Sequence, residues 1–438
     1  MTSFDRLERS LPAVLDELAT PGTPDYFDDL LARTAATRQR PGWTFPERWF
    51  PMSAIAQRFA GAPRIPMRVA LALALLLAAA LIGALIAGGR GHVPAPFGPA
   101  DNGLVVFTDD QGQVMIGNPL TSDIKIAPVG TGNERPQFSP DGTGLAFLRA
   151  VDGGHELVVA RADGTGELVV SATPISTASF VSWSPDGRVL AVLLASGRLL
   201  SFDATRTGKP TDLSDALGGL VISVGGGNFN EATGALFRPP SGNQIVLVAG
   251  GEHPSIVVAD RDGSDPHVVL EAGAAGLDLS AQGGQTRWSP DGTRISFAAA
   301  EVGSTASSTY VMNADGSGLH RAWTPPSGET FDEHNAQWSP DGTMLATQRW
   351  QLFGTTTDGE SLLPVAIIDL ATGTIRNVGP AIANGYSSFA WSPDGKSILE
   401  VPGDTLGEML VVDVARGTWT TPHWTISTAA NWQRVSTK

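Results

Sequence analysis

The chain has 438 residues, a formal net charge of −15 and no cysteine, which excludes disulfide scaffolds, thiolate zinc sites and cysteine nucleophiles. Its 51 glycines and 31 prolines predict many turns, and therefore many short strands. Residues 1–68 hold nine Arg against eight Asp or Glu, whereas the rest of the chain holds 20 basic and 36 acidic residues. An acidic domain repels phosphate backbones, so nucleic acid is not expected among the partners of the large part.

Residues 1–67 are predicted to be a cytoplasmic segment whose short helices lie within residues 3–37. Apolar residues recur at helical spacing from Phe4 to Leu18. A second helix is indicated by Thr23, which suits an N-cap, and by Pro24, which suits the first turn. About 35 helical residues cannot bury a core alone, so these helices are expected to need a partner, a second copy or the membrane.

A run of 21 uncharged residues extends from Val69 to Gly89. At a rise of 1.5 Å per residue, about 20 residues cross a hydrocarbon core of roughly 30 Å. A buried helix of a globular domain would normally show a polar face, and a cleavable secretory signal would lie near residue 1. The run therefore predicts a single transmembrane helix over residues 68–89.

The arginines around this run predict its orientation. Six of them, from Arg38 to Arg68, precede the run, and Arg90 alone follows it closely. By the positive-inside rule, the N-terminus is expected in the cytoplasm and the acidic C-terminal part outside it. Short cytoplasmic helices, one membrane span and an exported domain resemble the architecture of membrane anti-sigma factors, which implies a cytoplasmic regulatory partner. The zinc-binding form of that domain needs His and Cys ligands, which residues 1–68 lack, and plain anchoring is the alternative.

After a Pro-rich linker over residues 90–102, a five-residue motif repeats within residues 103–436. The motif is an aromatic residue followed by Ser-Pro-Asp-Gly. Its aromatic, Asp and Gly positions in five copies are Phe138, Asp141 and Gly142; Trp183, Asp186 and Gly187; Trp288, Asp291 and Gly292; Trp338, Asp341 and Gly342; and Trp391, Asp394 and Gly395. A degenerate copy begins at Phe237 and a truncated copy at Trp432. We call these seven leading residues the marker aromatics; they are spaced 41 to 54 residues apart.

A β-rich repeat of about 40–50 residues is typical of the blades of a β-propeller. In each unit the aromatic is expected to end an inner strand and to pack between neighbouring sheets. Pro fixes φ, Asp accepts hydrogen bonds from nearby backbone N–H groups, and Gly takes a positive φ, which together make a tight hairpin. A second turn, such as residues 162–165, recurs downstream and is expected to join the third and fourth strands of a blade. One blade cannot bury both of its faces, so the units must stack into a ring.

These repeats resemble the TolB-like, WD-repeat-like β-propeller family over roughly residues 103–434. The expected fold class is all-β, a propeller of seven blades, or of six if the copy at Phe237 or the last copy belongs elsewhere. The first blade is expected to join residues 103–130 to a C-terminal strand around residues 429–434, which removes the free edges of an open ring. Because the repeated residues are structural, the resemblance implies the fold and no particular activity.

The sequence contains no nucleophile elbow, no His-Glu-x-x-His motif and no phosphate loop, so no catalytic residue, cofactor or metal is predicted. The strongest polar cluster is residues 332–335, just before Trp338, where the loops of a propeller converge on its axial mouth. A solvated loop is the alternative interpretation. With residues at comparable positions before other markers, the candidate binding set is Glu134, Arg135, Asn230, Gln285, Arg287, Glu333, His334, Asn335 and Tyr386.

The function expected from the sequence is a membrane-anchored extracytoplasmic propeller. It would act as a non-catalytic binding, scaffolding or sensing module for a protein or small ligand, with a regulatory partner in the cytoplasm. The alternative is a propeller enzyme, a lyase or hydrolase that works at the axial mouth with His334 and Glu333.

Overall fold

The computed structural model describes residues 98–176, 178–218, 222, 236–250, 253–279, 286–352, 360–381, 388–401, 407–426 and 430–435. The predicted cytoplasmic segment, transmembrane helix and most of the linker lie outside the described residues. In the described part of the chain, no helix is long and apolar enough to cross a membrane.

Short strands make up nearly all of the regular structure in the described ranges. The strands up to residue 216 are β1 (Asp101–Thr108), β2 (Val114–Asn118), β3 (Asp123–Ile126), β4 (Asn133–Phe138), β5 (Gly144–Val151), β6 (Gly154–Arg161), β7 (Leu168–Val169), β8 (Ala178–Trp183), β9 (Val189–Leu194), β10 (Leu199–Asp203) and β11 (Thr211–Asp212), followed by the one-turn helix α1 (Leu213–Ala216). The strands beyond it are β12 (Gln244–Ala249), β13 (Ser255–Asp260), β14 (His267–Glu271), β15 (Leu277–Asp278), β16 (Arg287–Trp288), β17 (Arg294–Glu301), β18 (Ser307–Asn313), β19 (His320–Arg321), β20 (Thr330–Trp338), β21 (Met344–Leu352), β22 (Glu360–Leu362), β23 (Val365–Asp369), β24 (Thr374–Val378), β25 (Ser388–Trp391), β26 (Ser397–Val401), β27 (Gly407–Glu408), β28 (Leu410–Asp413), β29 (Trp419–Thr420), β30 (Thr425–Ile426) and β31 (Asn431–Val435), with a 3₁₀ turn at Ala274–Gly276.

These strands form seven antiparallel blades, as the marker aromatics predict. Blades 2, 3, 6 and 7 have the strand orders β4-β5-β6-β7, β8-β9-β10-β11, β20-β21-β23-β24 and β25-β26-β28-β29. Blade 4 is β12-β13-β14, and the described residues Ile222 and Phe237 bridge to Ala249 and Ile245 of β12 at the position of a first strand. In blade 5, β15 and β16 both pair with β17 on the first-strand side, and β18 and β19 complete the sheet. The degenerate copy at Phe237 thus supplies a blade of its own, which settles the count at seven rather than six.

Blade 1 closes the ring by joining the two ends of the described chain. Its order is β31-β1-β2-β3, and Val105 of β1 lies opposite Trp432 of β31. The Phe138 backbone N–H donates to Asn431 Oδ1 at 2.9 Å, which links blade 1 to blade 2. The predicted closure by a C-terminal strand is confirmed, and it removes the open edge that β1 would otherwise present.

Among the described residues, the hydrophobic core forms seven clusters, and each fills the space between two consecutive blades. Every cluster contains one marker aromatic, which belongs to the later of the two blades. For example, Trp391 packs between blades 6 and 7, and Trp432 between blades 7 and 1. A four-stranded sheet on its own would expose both faces, so apolar burial at about 25 cal/mol per Å² stabilises the blades only when they stack.

The repeated turns have one geometry, which explains why their residue types recur. In the first copy, Ser139 Oγ donates to Asp141 Oδ1 at 2.6 Å and accepts from the Gly144 N–H at 2.7 Å. Asp141 Oδ1 also accepts from the Thr143 N–H, and Gly142 has a φ of 72°. These turns join first to second strands, and the Asp-Gly hairpins join third to fourth strands, as predicted. Since the strands are antiparallel, both kinds of turn emerge on one face of the ring, which we call the turn face.

Acid unfolding is expected to be steep because the turn aspartates are held ionised. Burial opposes ionisation of Asp186, but hydrogen bonds from Arg261, Ser184 and Arg188 outweigh it and lower its pKa to about 2. A folded-state pKa below the unfolded value stabilises the protein at higher pH, and this contribution is lost as the pH falls through the folded pKa. Asp186→Asn should therefore flatten the decrease in unfolding free energy between about pH 4 and pH 2. Urea unfolding at several pH values tests this, with the exposed Asp110→Asn as control; equal slopes in both variants would contradict it.

Candidate binding site

Three of the five marker tryptophans, Trp288, Trp338 and Trp391, make a hydrogen bond to the preceding blade. The indole N–H of Trp288 donates to the carbonyl of Leu236 at 3.2 Å, and that of Trp391 donates to the carbonyl of Gln337 at 3.1 Å. Trp338 donates to the carbonyl of Arg287 at 3.4 Å. Each acceptor is the residue directly before the marker of the preceding blade. These three indoles therefore link the first strands of neighbouring blades by hydrogen bonds and also fill the apolar core between them.

The residue before the marker supplies a second set of contacts between blades. The side-chain amide of Gln137 donates to the carbonyl of Val181 in blade 3 at 3.1 Å. The amide of Gln337 donates in the same way to the carbonyl of Phe389 in blade 7. Sequence reasoning did not single out these two glutamines, although the recurrence of Gln directly before a marker was the available signal.

Two candidate residues, Arg135 and Asn335, occupy equivalent β-bulges in the first strands of blades 2 and 6. Their φ angles are 51° and 62°, and the strand register shifts beside each of them. Positive φ angles of this size belong to the left-handed region of backbone conformation. Asn adopts this conformation more readily than most residues, whereas Arg does not. Asn335 Oδ1 accepts from the guanidinium of the candidate Arg287 at 3.0 Å, which joins blade 6 to blade 5. Both partners of this contact are buried.

The polar run at residues 332–335 lies inside strand β20, and not in a loop before it. Strand β19 has two residues and pairs with only part of β18, which leaves N–H groups of β18 without a ladder partner. Asp332 Oδ1 accepts from the Ser307 N–H at 2.7 Å, and Glu333 Oε2 accepts from the Thr309 N–H at 2.9 Å. The two carboxylates of blade 6 thus substitute for the missing part of the outer strand of blade 5.

Glu333 is the most enclosed charged side chain of the candidate set, with 0% of its surface exposed. Its Oε1 accepts a hydrogen bond from the indole N–H of Trp323 and lies 4.0 Å from the guanidinium of Arg321. Arg349 stacks over Trp323 with its guanidinium carbon 5.1 Å from the ring centroid. Burial raises the pKa of Glu333, against the lowering effect of hydrogen bonds from Thr309 and Trp323. Trp323 binds Glu333 but was not predicted from the sequence, because it lies outside the repeated motif.

His334 and Glu134 occupy equivalent positions in their blades but have different surroundings. His334 is 4% exposed; its Nε2 lies 2.8 Å from Asp332 Oδ2, and its ring meets Trp350 edge to face. The side chain of Glu134 is 52% exposed and its carboxylate lies 3.8 Å from His155. Burial lowers the pKa of Arg135, and the nearby Glu134 opposes this shift. Glu134 is thus the most accessible of the described candidates.

The described candidates divide into an enclosed group and an accessible one. Arg287, Glu333, His334 and Asn335 are enclosed between or within blades 5 and 6, and Glu134 and Arg135 are more accessible on blade 2. The candidates Asn230, Gln285 and Tyr386 lie outside the described residues. Within the described ranges, no group of three or more His, Cys, Asp or Glu side chains is placed to hold a metal ion.

No protein-family model and no curated protein matches the chain. Solved structures share its fold at low identity. TolB from Acinetobacter baumannii is 13% identical, with a TM-score of 0.42 over 81% of this chain and 71% of that one. The β-propeller domain of the Trilobed protease from Pyrococcus furiosus is 14% identical, with a TM-score of 0.49 over 75% and 97%. The tricorn protease is 12% identical, with a TM-score of 0.50 over 76% of this chain and 34% of its own, so this chain spans about a third of that enzyme. At these identities the likeness concerns the fold alone.

Proposed function

We propose that this protein is a membrane-anchored, extracytoplasmic β-propeller that binds a partner and does not catalyse a reaction. The anchor is the uncharged run at residues 69–89, and residues 1–67 contact a regulatory partner in the cytoplasm, as in anti-sigma-like architectures. One observation carries the non-catalytic part of the proposal. Gln137 and Glu333, two buried polar side chains of first strands, make their hydrogen bonds to neighbouring blades. Such groups stabilise a scaffold, which leaves recognition to the exposed connections.

Protease added to intact cells tests the arrangement in the membrane. Digestion of residues 103–436 with protection of residues 1–67 is the expected result, because the positive-inside rule keeps the basic flank in the cytoplasm. Protection of the acidic propeller in intact cells, with digestion after lysis, would contradict it. Deleting residues 1–40 tests the cytoplasmic partner: a regulator is expected to change its transcriptional output, whereas a plain anchor would leave transcription unchanged.

An enzymatic function is the second candidate, and the Asp332–His334 pair is the observation that favours it. A histidine 2.8 Å from a carboxylate has the arrangement of a general acid or base. His334→Ala should leave a binding protein folded, with its partner affinity nearly unchanged. The same variant would abolish turnover in an enzyme that uses this histidine.

A further inference from the structure

The turn face carries a groove. The candidate binding residues that precede the marker aromatics do not line it. It is a half-open cavity of about 930 Å³ that runs across blades 2, 3 and 4. Its walls are the first turn of blade 3, the second hairpin of blade 3 after β10, and the hairpin of blade 4 after β13. We call it the basic groove, after the four cationic side chains that line it: Arg188, Arg206, Lys209 and Arg261.

The charge in this groove is opposite to that of the protein. Two carboxylates, Asp186 and Asp203, face the four cations, which leaves an excess of positive charge in a chain whose net charge is −15. Arg261 pairs with Asp186 at 2.9 Å. Arg206 pairs with Asp203 at 2.8 Å. Arg188 and Lys209 have no ion-pair partner among the described residues, so these two cations are available to a ligand.

The segment that carries Arg206 and Lys209 is held in place by blade 2. The Thr207 hydroxyl donates to the carbonyl of Val169 at 2.6 Å, and the Gly208 N–H donates to the carbonyl of Val170 at 2.9 Å. The Gly208 carbonyl in turn accepts from the Ala172 N–H at 2.9 Å. A cationic hairpin fixed in this way loses less conformational entropy when an anion binds than a free loop would.

We propose that the basic groove binds a small anion with at least two phosphate or carboxylate charges, held chiefly by Arg188 and Lys209. Charge-assisted hydrogen bonds from guanidinium and ammonium groups suit such oxyanions. A compact anion fits better than a long polyanion, because the acidic remainder of the propeller repels an extended chain of phosphates. The ligand is either a free anion or the phosphate headgroup of a lipid.

Blade 7 provides a matched control for this proposal. Lys396 follows its turn aspartate at the same spacing as Arg188, and Arg416 follows its hairpin aspartate at the same spacing as Arg206. Both are already paired, Lys396 with Asp394 at 3.6 Å and Arg416 with Asp413 at 2.7 Å. Removing these two cations changes the net charge and the turn face as much as removing the two free cations of the groove.

Calorimetric titration of the full chain in neutral detergent with inorganic pyrophosphate tests the proposal. Saturable binding is expected, with affinity reduced about tenfold or more in the double variant Arg188→Gln/Lys209→Gln and changed less than about twofold in Lys396→Gln/Arg416→Gln. Circular dichroism should show both variants folded, because the side chains are exposed. Phosphatidic acid added to the micelles shows whether the ligand is a lipid headgroup or a free anion. If phosphatidic acid competes with pyrophosphate, the groove binds a lipid headgroup. If it does not compete, the groove binds a free anion. No saturable binding by the wild type, or equal weakening in both double variants, would overturn the proposal.

Discussion

Replacing Glu333 with alanine is expected to lower the free energy of unfolding by about 3–5 kcal/mol, because two buried hydrogen-bond donors lose their acceptor. The carboxylate is fully enclosed and accepts hydrogen bonds from the Trp323 indole and the Thr309 backbone. Without it, both donors stay buried without an acceptor, at a cost of about 1–3 kcal/mol each. Arg321 also loses the carboxylate that lies 4.0 Å from its guanidinium. Urea unfolding of the full chain, followed by circular dichroism, measures the change.

Two further variants separate this effect from simple loss of charge. Glu333→Gln keeps one acceptor oxygen at nearly the same volume, so its cost should be smaller, about 1–2 kcal/mol. Glu301→Ala removes an exposed carboxylate at the end of β17 and should stay within about 0.5 kcal/mol of the wild type. Burial raises the pKa of Glu333, so its contribution to stability declines as the pH rises through that pKa. Glu333→Gln cannot ionise, so it should lose less stability than the wild type as the pH rises above the ordinary glutamate pKa of 4.5. Wild-type stability in Glu333→Ala would show that the carboxylate does not hold blades 5 and 6 together.

Replacing Trp432 with alanine is expected to destabilise the ring by about 3–5 kcal/mol, because the indole fills the core between blades 7 and 1. That core also holds Phe107 and Trp424, whose rings stack with centroids 5.5 Å apart. The same strand supplies Asn431, which receives the Phe138 N–H, so a loosened β31 weakens the contact with blade 2 as well. Denaturant unfolding measures the loss, and we expect a broader transition as the closing blade separates from the others.

Replacing marker tryptophans with phenylalanine separates the contribution of apolar packing from that of the indole hydrogen bond. Two natural markers, Phe138 and Phe237, are already Phe, and the Trp432 indole N–H has no hydrogen-bond partner among the described residues. Trp432→Phe should therefore cost less than about 1.5 kcal/mol. Trp391→Phe also removes the hydrogen bond to Gln337 and should cost about 1 kcal/mol more. A larger loss of unfolding free energy in Trp432→Phe than in Trp391→Phe would contradict the proposed contribution of the indole hydrogen bond to stability.

Most of the fold could be predicted from the sequence because the repeat is dictated by local chemistry. The Ser-Pro-Asp-Gly turn satisfies its own polar groups, so its residues recur wherever a first strand meets a second one. Blade 4 was ambiguous because the turn at Phe237 lacks the Ser and the Asp of the motif. Apolar strands such as β12 and β13 nevertheless bury both faces between blades 3 and 5, and this packing maintains the blade.

The candidate site was predicted less well, because polarity alone does not distinguish a loop from a buried strand. Residues 332–335 have the composition of a solvated loop. In the structure they lie in a strand whose carboxylates bond the backbone of the preceding blade. That role depends on the shortness of β19, a feature with no signature near residue 332. Likewise, the basic groove joins side chains from separate turns, and no single stretch of sequence indicates it.

A pair of cysteines across β1 and β31 tests ring closure most directly. The chain has no cysteine, and Asp101 lies opposite Val435 in the antiparallel ladder. Paired residues in such a ladder are about 4.5–5.5 Å apart at Cα, within the span of a disulfide. Asp101→Cys/Val435→Cys should form an intrachain disulfide in the folded chain on mild oxidation, detectable by mass spectrometry of the linked peptides. Val268→Cys/Val435→Cys, which places the thiols in blades 4 and 1, should not. Absence of the 101–435 disulfide, or equal cross-linking in the control, would contradict a ring closed by its two ends.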